Sequence, residues 1–208
     1  MTQLHGLFVT LEGGEGVGKS TLQMALVERA ETVGREVVFS REPGGTPLGE
    51  RLRAALFESA DDETDPTAEL LVFEAARAQL VADVIRPALQ RGALVICDRF
   101  ADSSVAYQHH GRGLSLELVS RLNESAAGAL APDLTILLDL DPAEGARRRG
   151  TAGDYLERED ADFHERVRNG FLELATAQPA RWLVIDAAQP LESVVEAAWS
   201  KIQTRTRS

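Results

Sequence analysis

The sequence predicts an α/β fold in three layers, a five-stranded parallel sheet flanked by helices on both faces. Two observations carry that prediction. Short apolar runs alternate along the chain with longer amphipathic stretches. The runs are also rich in Val, Ile and Leu without polar alternation, as strands are when both faces are covered. They are LFVTLE (7–12), VVFS (37–40), LVICD (94–98), LTILLDL (134–140) and WLVID (182–186).

Taken in order, the first strand leads through GGEGVGKS into a helix from Lys19 to about Val33, where Gly34 stops it. The second strand is followed by SREPGGTPLGERLR (40–53), ending in a helical ERLR pattern. The next helix opens at TDPTAE, with Asp65 as N-cap and Pro66 at the first helical position. After the third strand, CDRFADSSVAYQHHGRG (97–113) reads as a glycine-rich loop, with His109 and His110 as surface residues rather than metal ligands. Later helices are expected near 115–128, 141–149, 160–177 and 190–203. No internal repeat, low-complexity tract or Pro/Gly/Ser-rich linker interrupts the chain, so residues 1–208 are expected to form one domain. RRRGTAGDYLERED (147–160), with Gly150 and Gly153 among charges, is the candidate mobile lid.

Composition narrows the function. With 44% hydrophobic and 26% charged residues, the chain is of ordinary soluble type. Its net charge of −11, from 33 acidic and 22 basic residues, argues against a nucleic-acid partner, which would need a basic face. Anionic ligands must then be held by local basic clusters. The single cysteine, Cys97, excludes an intramolecular disulfide and a cysteine metal cluster, and its apolar setting marks it as a small core residue. MTQLHGLFVT does not read as a signal peptide, and no apolar stretch approaches the roughly 20 residues of a membrane span. A cytoplasmic protein without a membrane partner is expected.

The segment Gly13–Ser20 fits G-x-x-x-x-G-K-[ST], between a strand and a helix, which makes the fold a phosphate-loop (P-loop) NTPase type. Gly13, Gly14, Glu15, Gly16, Val17, Gly18, Lys19, Ser20 and Thr21 are the expected ATP-binding residues. Backbone N–H groups and the helix N-terminus would cradle phosphate, Lys19 would reach the β- and γ-phosphates, and Ser20 would ligate Mg²⁺. The loop does not by itself separate a kinase from a GTPase switch or a partitioning ATPase. No guanine-reading N-K-x-D tetrapeptide occurs, and the small size favours a nucleotide or metabolite kinase. Glu15 is unexpected, being a carboxylate inside an anion cradle.

Segments 40–53 and 97–113 both lie beyond the carboxyl ends of strands, where α/β sheets bind ligands. Together with the loop, LLVFEAARAQL (70–80) and PDLTILLDL (132–140), they resemble the thymidylate kinase family of the bacterial type, in order and over nearly the whole chain. REPGG and SSVAYQ are more specific than the phosphate loop. The resemblance implies a nucleoside monophosphate kinase-like fold and transfer of the ATP γ-phosphoryl group to dTMP, giving dTDP, with Mg²⁺. It also implies a homodimer.

It implies residue roles as well. Phe73 would stack on thymine and Arg77, four residues on and on the same helix face, would donate to a base carbonyl. Alone, Phe73 would read as a core aromatic; an Arg in the same stripe argues otherwise. Arg53 and Arg99 match contacts to the dTMP phosphate. Ser103 and Gln108 approach the base, within a segment that also holds Ser104. Tyr107 lies against the sugar, and Glu42 near sugar and metal. Asp98, at a strand end before Arg99, matches a carboxylate acting on Mg²⁺, partly through water, or orienting Lys19 or Arg99. Glu15 would accept a hydrogen bond from the acceptor's 3′-hydroxyl.

A catalytic arginine sits either in the phosphate loop or in the lid of the family. Position 16 is Gly, so the lid must supply it. Relatives carry Arg before the pair that is Leu156-Glu157, where this chain has Tyr155. That leaves Arg147, Arg148, Arg149 and Arg158, of which Arg149 and Arg158 are favoured. Adenine is expected near DAAQP (186–190) by position alone. The competing readings are another nucleoside monophosphate or deoxynucleoside kinase, and a P-loop regulatory protein that binds ATP without transferring phosphate.

Overall fold

The computed structural model describes residues 6–57, 64–150 and 155–206, without the side chains of Arg149 and Thr206. Five strands form one parallel sheet in the order β2-β3-β1-β4-β5. They are β1 (Leu7–Glu12), β2 (Val37–Arg41), β3 (Leu94–Asp98), β4 (Leu134–Asp139) and β5 (Trp182–Asp186). β1 is central, with Val9 in register with Ile96 on one side and Leu134 on the other.

The expectation that every strand is covered on both faces holds for the inner three and not for the edges. Each residue of β1 is buried, as are most of β3 and β4. Phe39 on β2 and Val184 on β5 are 62% and 46% exposed, because an edge strand has a neighbour on one side only. One face of the sheet packs Val9, Leu11, Ile96 and Ile136 against α1 (Lys19–Thr32) and α9 (Leu191–Thr206), through Leu22, Leu26, Trp199 and Ile202. The other face carries Phe8, Val95 and Cys97, the last fully buried as expected.

Helices α2 (Pro47–Phe57), α3 (Pro66–Leu80) and α4 (Arg86–Gln90) follow β2, the last two joined by a π-helical turn, Val81–Ile85. Asp65 caps α3 by accepting from the Thr67 and Ala68 amides at 2.8 and 3.2 Å, with Pro66 in the first turn. α6 (Leu116–Ala127), α7 (Pro142–Arg149) and α8 (Ala161–Ala177) are capped by Ser115, Asp141 and Asp160.

Segment 97–113 departs from its expected loop. Ala101–Ser104 forms helix α5, and Val105–Gly111 continues it as a π-helical turn. His109 and His110 are therefore half-buried rather than surface residues. His109 Nδ1 lies 2.6 Å from the Leu114 carbonyl, and His110 packs on Gly170 of α8. The helix was hidden because its inward side is mostly polar: Asp102, Ser103, Ser104 and Gln108 are all buried. Of the candidate lid 147–160, residues 151–154 lie outside the described residues. Residues 155–159 form turns between α7 and α8.

Candidate active site

The phosphate loop leaves β1 and enters α1 through Gly18, whose backbone is left-handed (φ 96°) and supplies no side-chain cap. The first N–H groups of α1 thus remain available to an anion. Lys19 Nζ donates to the Gly13 and Gly14 carbonyls at 3.2 and 2.8 Å. Burial, with Arg99 adding, lowers its pKa, while Glu15 and Asp98 oppose that shift.

Arg99 is the hub beside the loop. It follows β3 with φ 70°, a conformation costly outside glycine that turns its side chain back toward β1. Nη1 donates to the Gly13 carbonyl at 3.0 Å and to Ser103 Oγ at 3.2 Å. Nη2 donates to Glu15 and, at 2.9 Å, to the Tyr107 hydroxyl, which also donates to Glu15. Burial would lower the Arg99 pKa, but Glu15, Asp98 and Glu12 together raise it. Glu15 is thus neutralised in place, its carboxylate turned onto Arg99 and Tyr107.

Glu12, which sequence reasoning passed over, supports this hub from below. It is fully buried and accepts from the Phe100 amide at 2.9 Å and from Ser103 Oγ at 2.6 Å. Burial, with Asp102 adding, pushes its carboxyl up to about 8. A charged residue ending an apolar strand is the one sequence signal it gives.

Arg77 lies 1% exposed with its five N–H groups turned to the protein. Nε donates to Glu42 at 2.9 Å, and Nη1 to Glu74 and Asn123, both at 2.5 Å. Nη2 sits 2.7 Å from Glu42 and donates to Ser104 at 3.1 Å. Burial raises Glu42 to about 7 despite this partner, with Glu74 adding to the rise.

Lys19, Glu15, Arg99, Tyr107, Arg77 and Glu42 line one cleft of about 470 Å³ at the carboxyl ends of β1, β2 and β3. Its walls include Glu15 to Thr21 of the loop, and Glu42, Arg53, Phe73, Arg77, Asp98, Arg99, Ser103, Ser104, Tyr107 and Gln108. Gly13 and Gly14 line a second cleft of about 240 Å³, between the loop, β4 and α8. Arg53 donates to the Pro43 carbonyl at 3.2 Å, and its guanidinium lies 4.6 Å over the Phe57 ring. Arg41, Phe57 and Glu157 also line the main cleft and were not anticipated.

Two of the cleft-lining residues, Asp98 and Glu42, each have a carboxylate oxygen (Oδ1 and Oε1) that is buried without a hydrogen-bond partner. Carboxylates with a spare acceptor, on residues that share the cleft with Ser20, suit a hard cation. Among the described residues no cluster of three His, Cys, Asp or Glu could hold a metal alone.

The lid-borne arginines separate. Arg148 lines the main cleft, donating to Glu144 and, at 3.0 Å, to the Ala187 carbonyl. Arg147 pairs with Glu144 on the exposed side of α7. Arg158 is exposed and lines neither cleft. Residues 186–190, where adenine was expected, do not line the main cleft. Tyr155, in place of the expected arginine, packs edge-on against Phe57 at 5.4 Å.

A profile of the thymidylate kinase family matches residues 11–198. A thymidylate kinase of Deinococcus radiodurans is 50% identical over 203 residues, spanning 97% of this chain and 98% of its own. One of Pseudomonas fluorescens is 53% identical over 193 residues, 92% of each chain. The crystal structure of thymidylate kinase from Ehrlichia chaffeensis superposes with a TM-score of 0.79 at 33% identity, covering 96% of this chain and 99% of that one.

Proposed function

The chain belongs to the thymidylate kinase family, and from that premise we propose a division of labour for its phosphorylation of dTMP to dTDP by ATP. The observation that carries it is a single cleft that joins the phosphate loop to Arg53, Phe73, Arg77, Arg99 and Gln108. The reaction is mostly positioning and charge stabilisation. A dTMP phosphate oxygen attacks the γ-phosphorus, the bond to the β–γ bridging oxygen breaks, and ADP leaves. The attacking phosphate is already largely ionised near neutral pH, so no strong base is needed.

Lys19 and the loop amides hold the ATP phosphates, and Arg53 and Arg99 hold the acceptor phosphate. Phe73 stacks on thymine. Arg77 reads a base carbonyl by exchanging its longest contact, the 3.1 Å bond to Ser104. Ser103, Ser104 and Gln108 complete the base site, and Tyr107 lies against the deoxyribose. Glu15 accepts from the 3′-hydroxyl, and Glu42 stands near sugar and metal. Ser20 and Asp98, the latter partly through water, would hold Mg²⁺, which would supply positive charge to offset the ATP phosphates. A lid arginine adds charge at the transferred group: Arg149 or Arg158 from the sequence pattern, with Arg148 supported by its place in the cleft. One domain, a cytoplasmic location and a homodimer belong to the same reading. Exposed Leu71, Leu116 and Leu118 offer apolar surface for the last.

ADP release measured with dTMP, dUMP, CMP, GMP and thymidine tests this reading. Strong selectivity for dTMP is expected. Preference for another acceptor would favour a different nucleotide kinase, and release indifferent to every acceptor a non-catalytic ATP binder.

A further inference from the structure

We infer that Arg112 is a positioning residue that makes the seating of segment 155–159 and the capture of the acceptor one event. The inference rests on the reading of the main cleft as a dTMP site. Arg112 directly follows the π-helical turn that carries Tyr107 and Gln108. Its guanidinium joins two carboxylates from different parts of the chain. Nη2 and Nε donate to Glu69 on α3 at 3.1 and 3.4 Å, and Nη1 donates to Glu159 at 2.5 Å. Glu69 in turn accepts from Gln108 Nε2 at 2.9 Å. The same guanidinium lies 5.0 Å over the Phe163 ring, which packs edge-on against Tyr107 at 6.1 Å. One arginine thus connects segment 155–159 to two side chains of the acceptor site.

The chemistry makes this link directional. The Glu69 side chain is 0% exposed and needs a cation, because an unpaired buried carboxylate is strongly disfavoured. A carboxylate can only accept, so Glu69 dictates which end of the Gln108 amide it holds. The planar fork of Arg112 serves two carboxylates at once, which a lysine could not do with the same geometry. When Glu159 withdraws, the fork that orients Glu69, and through it Gln108, is held from one side only. Glu159 itself lines the second cleft and not the acceptor cleft, and Arg112 is its direct side-chain link to Glu69 and Gln108.

The other end of the segment meets the acceptor site independently. Tyr155 packs on Phe57, and Phe57 carries the Arg53 guanidinium over its ring. Segment 155–159 is therefore tied to the base end of the site through Arg112 and to the phosphate end through Tyr155. By linkage, a segment that holds the acceptor is held by it with the same free energy.

Two readouts test this: the KM for dTMP, and the rate of tryptic cleavage after the exposed Arg158 with and without dTMP. In the wild type, dTMP should slow that cleavage about fivefold. Glu159→Gln should raise the dTMP KM about fivefold, equivalent to about 1 kcal/mol, leave the ATP KM within about twofold, and remove most of the dTMP protection. Arg112→Met should act alike, and the double variant should add little. Should Arg112→Met fold poorly because it strands Glu69, Glu159→Gln still decides, since its side chain is 30% exposed. A wild-type dTMP KM in Glu159→Gln would overturn the inference. So would cleavage that accelerates equally with and without dTMP, the mark of local loosening alone. Absence of dTMP turnover in the wild type would instead refute the functional reading on which the inference rests.

Discussion

Replacing Arg77 with methionine separates the structural role of its buried network from its proposed reading of the base. The guanidinium is 1% exposed between Glu42 and Glu74, whose carboxylates would be left buried together without a cation. Breaking a buried pair from one side costs about 3–5 kcal/mol. For a chain of this size that lowers the thermal midpoint by about 6–20 °C. The pH dependence follows from Glu42, whose folded pKa of about 7 lies above its unfolded value. The folded state binds the extra proton, so this contribution to stability is full at low pH and is lost as pH rises toward 7. Without Arg77 the carboxyl rises further, so above pH 7, where Glu42 no longer adds to the wild-type slope, Arg77→Met should lose stability more steeply than the wild type. Adding Glu42→Gln and Glu74→Gln should restore most of the midpoint. It should not restore recognition of dTMP, whose KM should stay about 10- to 100-fold raised by loss of a charge-assisted hydrogen bond. Thermal unfolding from pH 5.5 to 9 and dTMP kinetics on both variants check this. A loss under about 1 kcal/mol for Arg77→Met would refute the account of the network. Wild-type dTMP kinetics in the triple variant would refute base reading by Arg77.

Glu12, raised to about 8 by burial, should make the wild type lose stability between pH 7 and 8.5, and Glu12→Gln should flatten that interval while keeping activity near pH 7; equal slopes in the two proteins would count against it. Of Arg148→Ala, Arg149→Ala and Arg158→Ala, the variant that removes the charge at the transferred phosphoryl should lower kcat by about 10²–10³ with little change in the dTMP KM. If all three turn over at the wild-type rate, the lid does not supply that charge. Glu15→Ala should raise the dTMP KM about 10-fold or more, more than the ATP KM, because it removes an acceptor and releases Arg99 and Tyr107. A 3′-deoxy acceptor should lose less in that variant than dTMP does, and an equal loss would remove Glu15 from the sugar.

What could be read from the sequence was what local chemistry announces. Inner strands buried on both faces show as unbroken Val, Ile and Leu runs, and the Asp65-Pro66 start of α3 shows as a cap. The phosphate loop shows because few other backbones need glycine, lysine and serine at those spacings. Segment 101–111 was missed because its helix turns polar side chains inward to form a site, so the apolar period that marks a helix is absent. Glu12 and Arg112 were missed for a related reason. Each acts by touching residues more than 40 positions away, Phe100 and Ser103 for Glu12 and Glu69 and Glu159 for Arg112, and nothing beside them in the chain records those partners.

Gly16 is where sequence and structure explain each other. The sequence shows glycine at a loop position where an arginine could serve catalysis, and so points to the lid. The structure gives the steric cause. Gly16 has φ 70°, and a Cβ built there would overlap the carbonyl of Gly145 on α7; a Cβ on Gly145 would overlap the carbonyl of Glu15. The two backbones meet at a distance that only a pair of glycines allows. An arginine at 16 is therefore excluded while α7 sits where it does, and Gly145 is part of the reason. The same approach brings α7 against the loop and leaves Arg148, three residues beyond Gly145, lining the donor–acceptor cleft. Glycine at loop position 16 and the placing of Arg148 in the cleft are thus both tied to one backbone contact. Tyr155, at the position before Leu156-Glu157, holds an aromatic ring against Phe57 where a charge was expected.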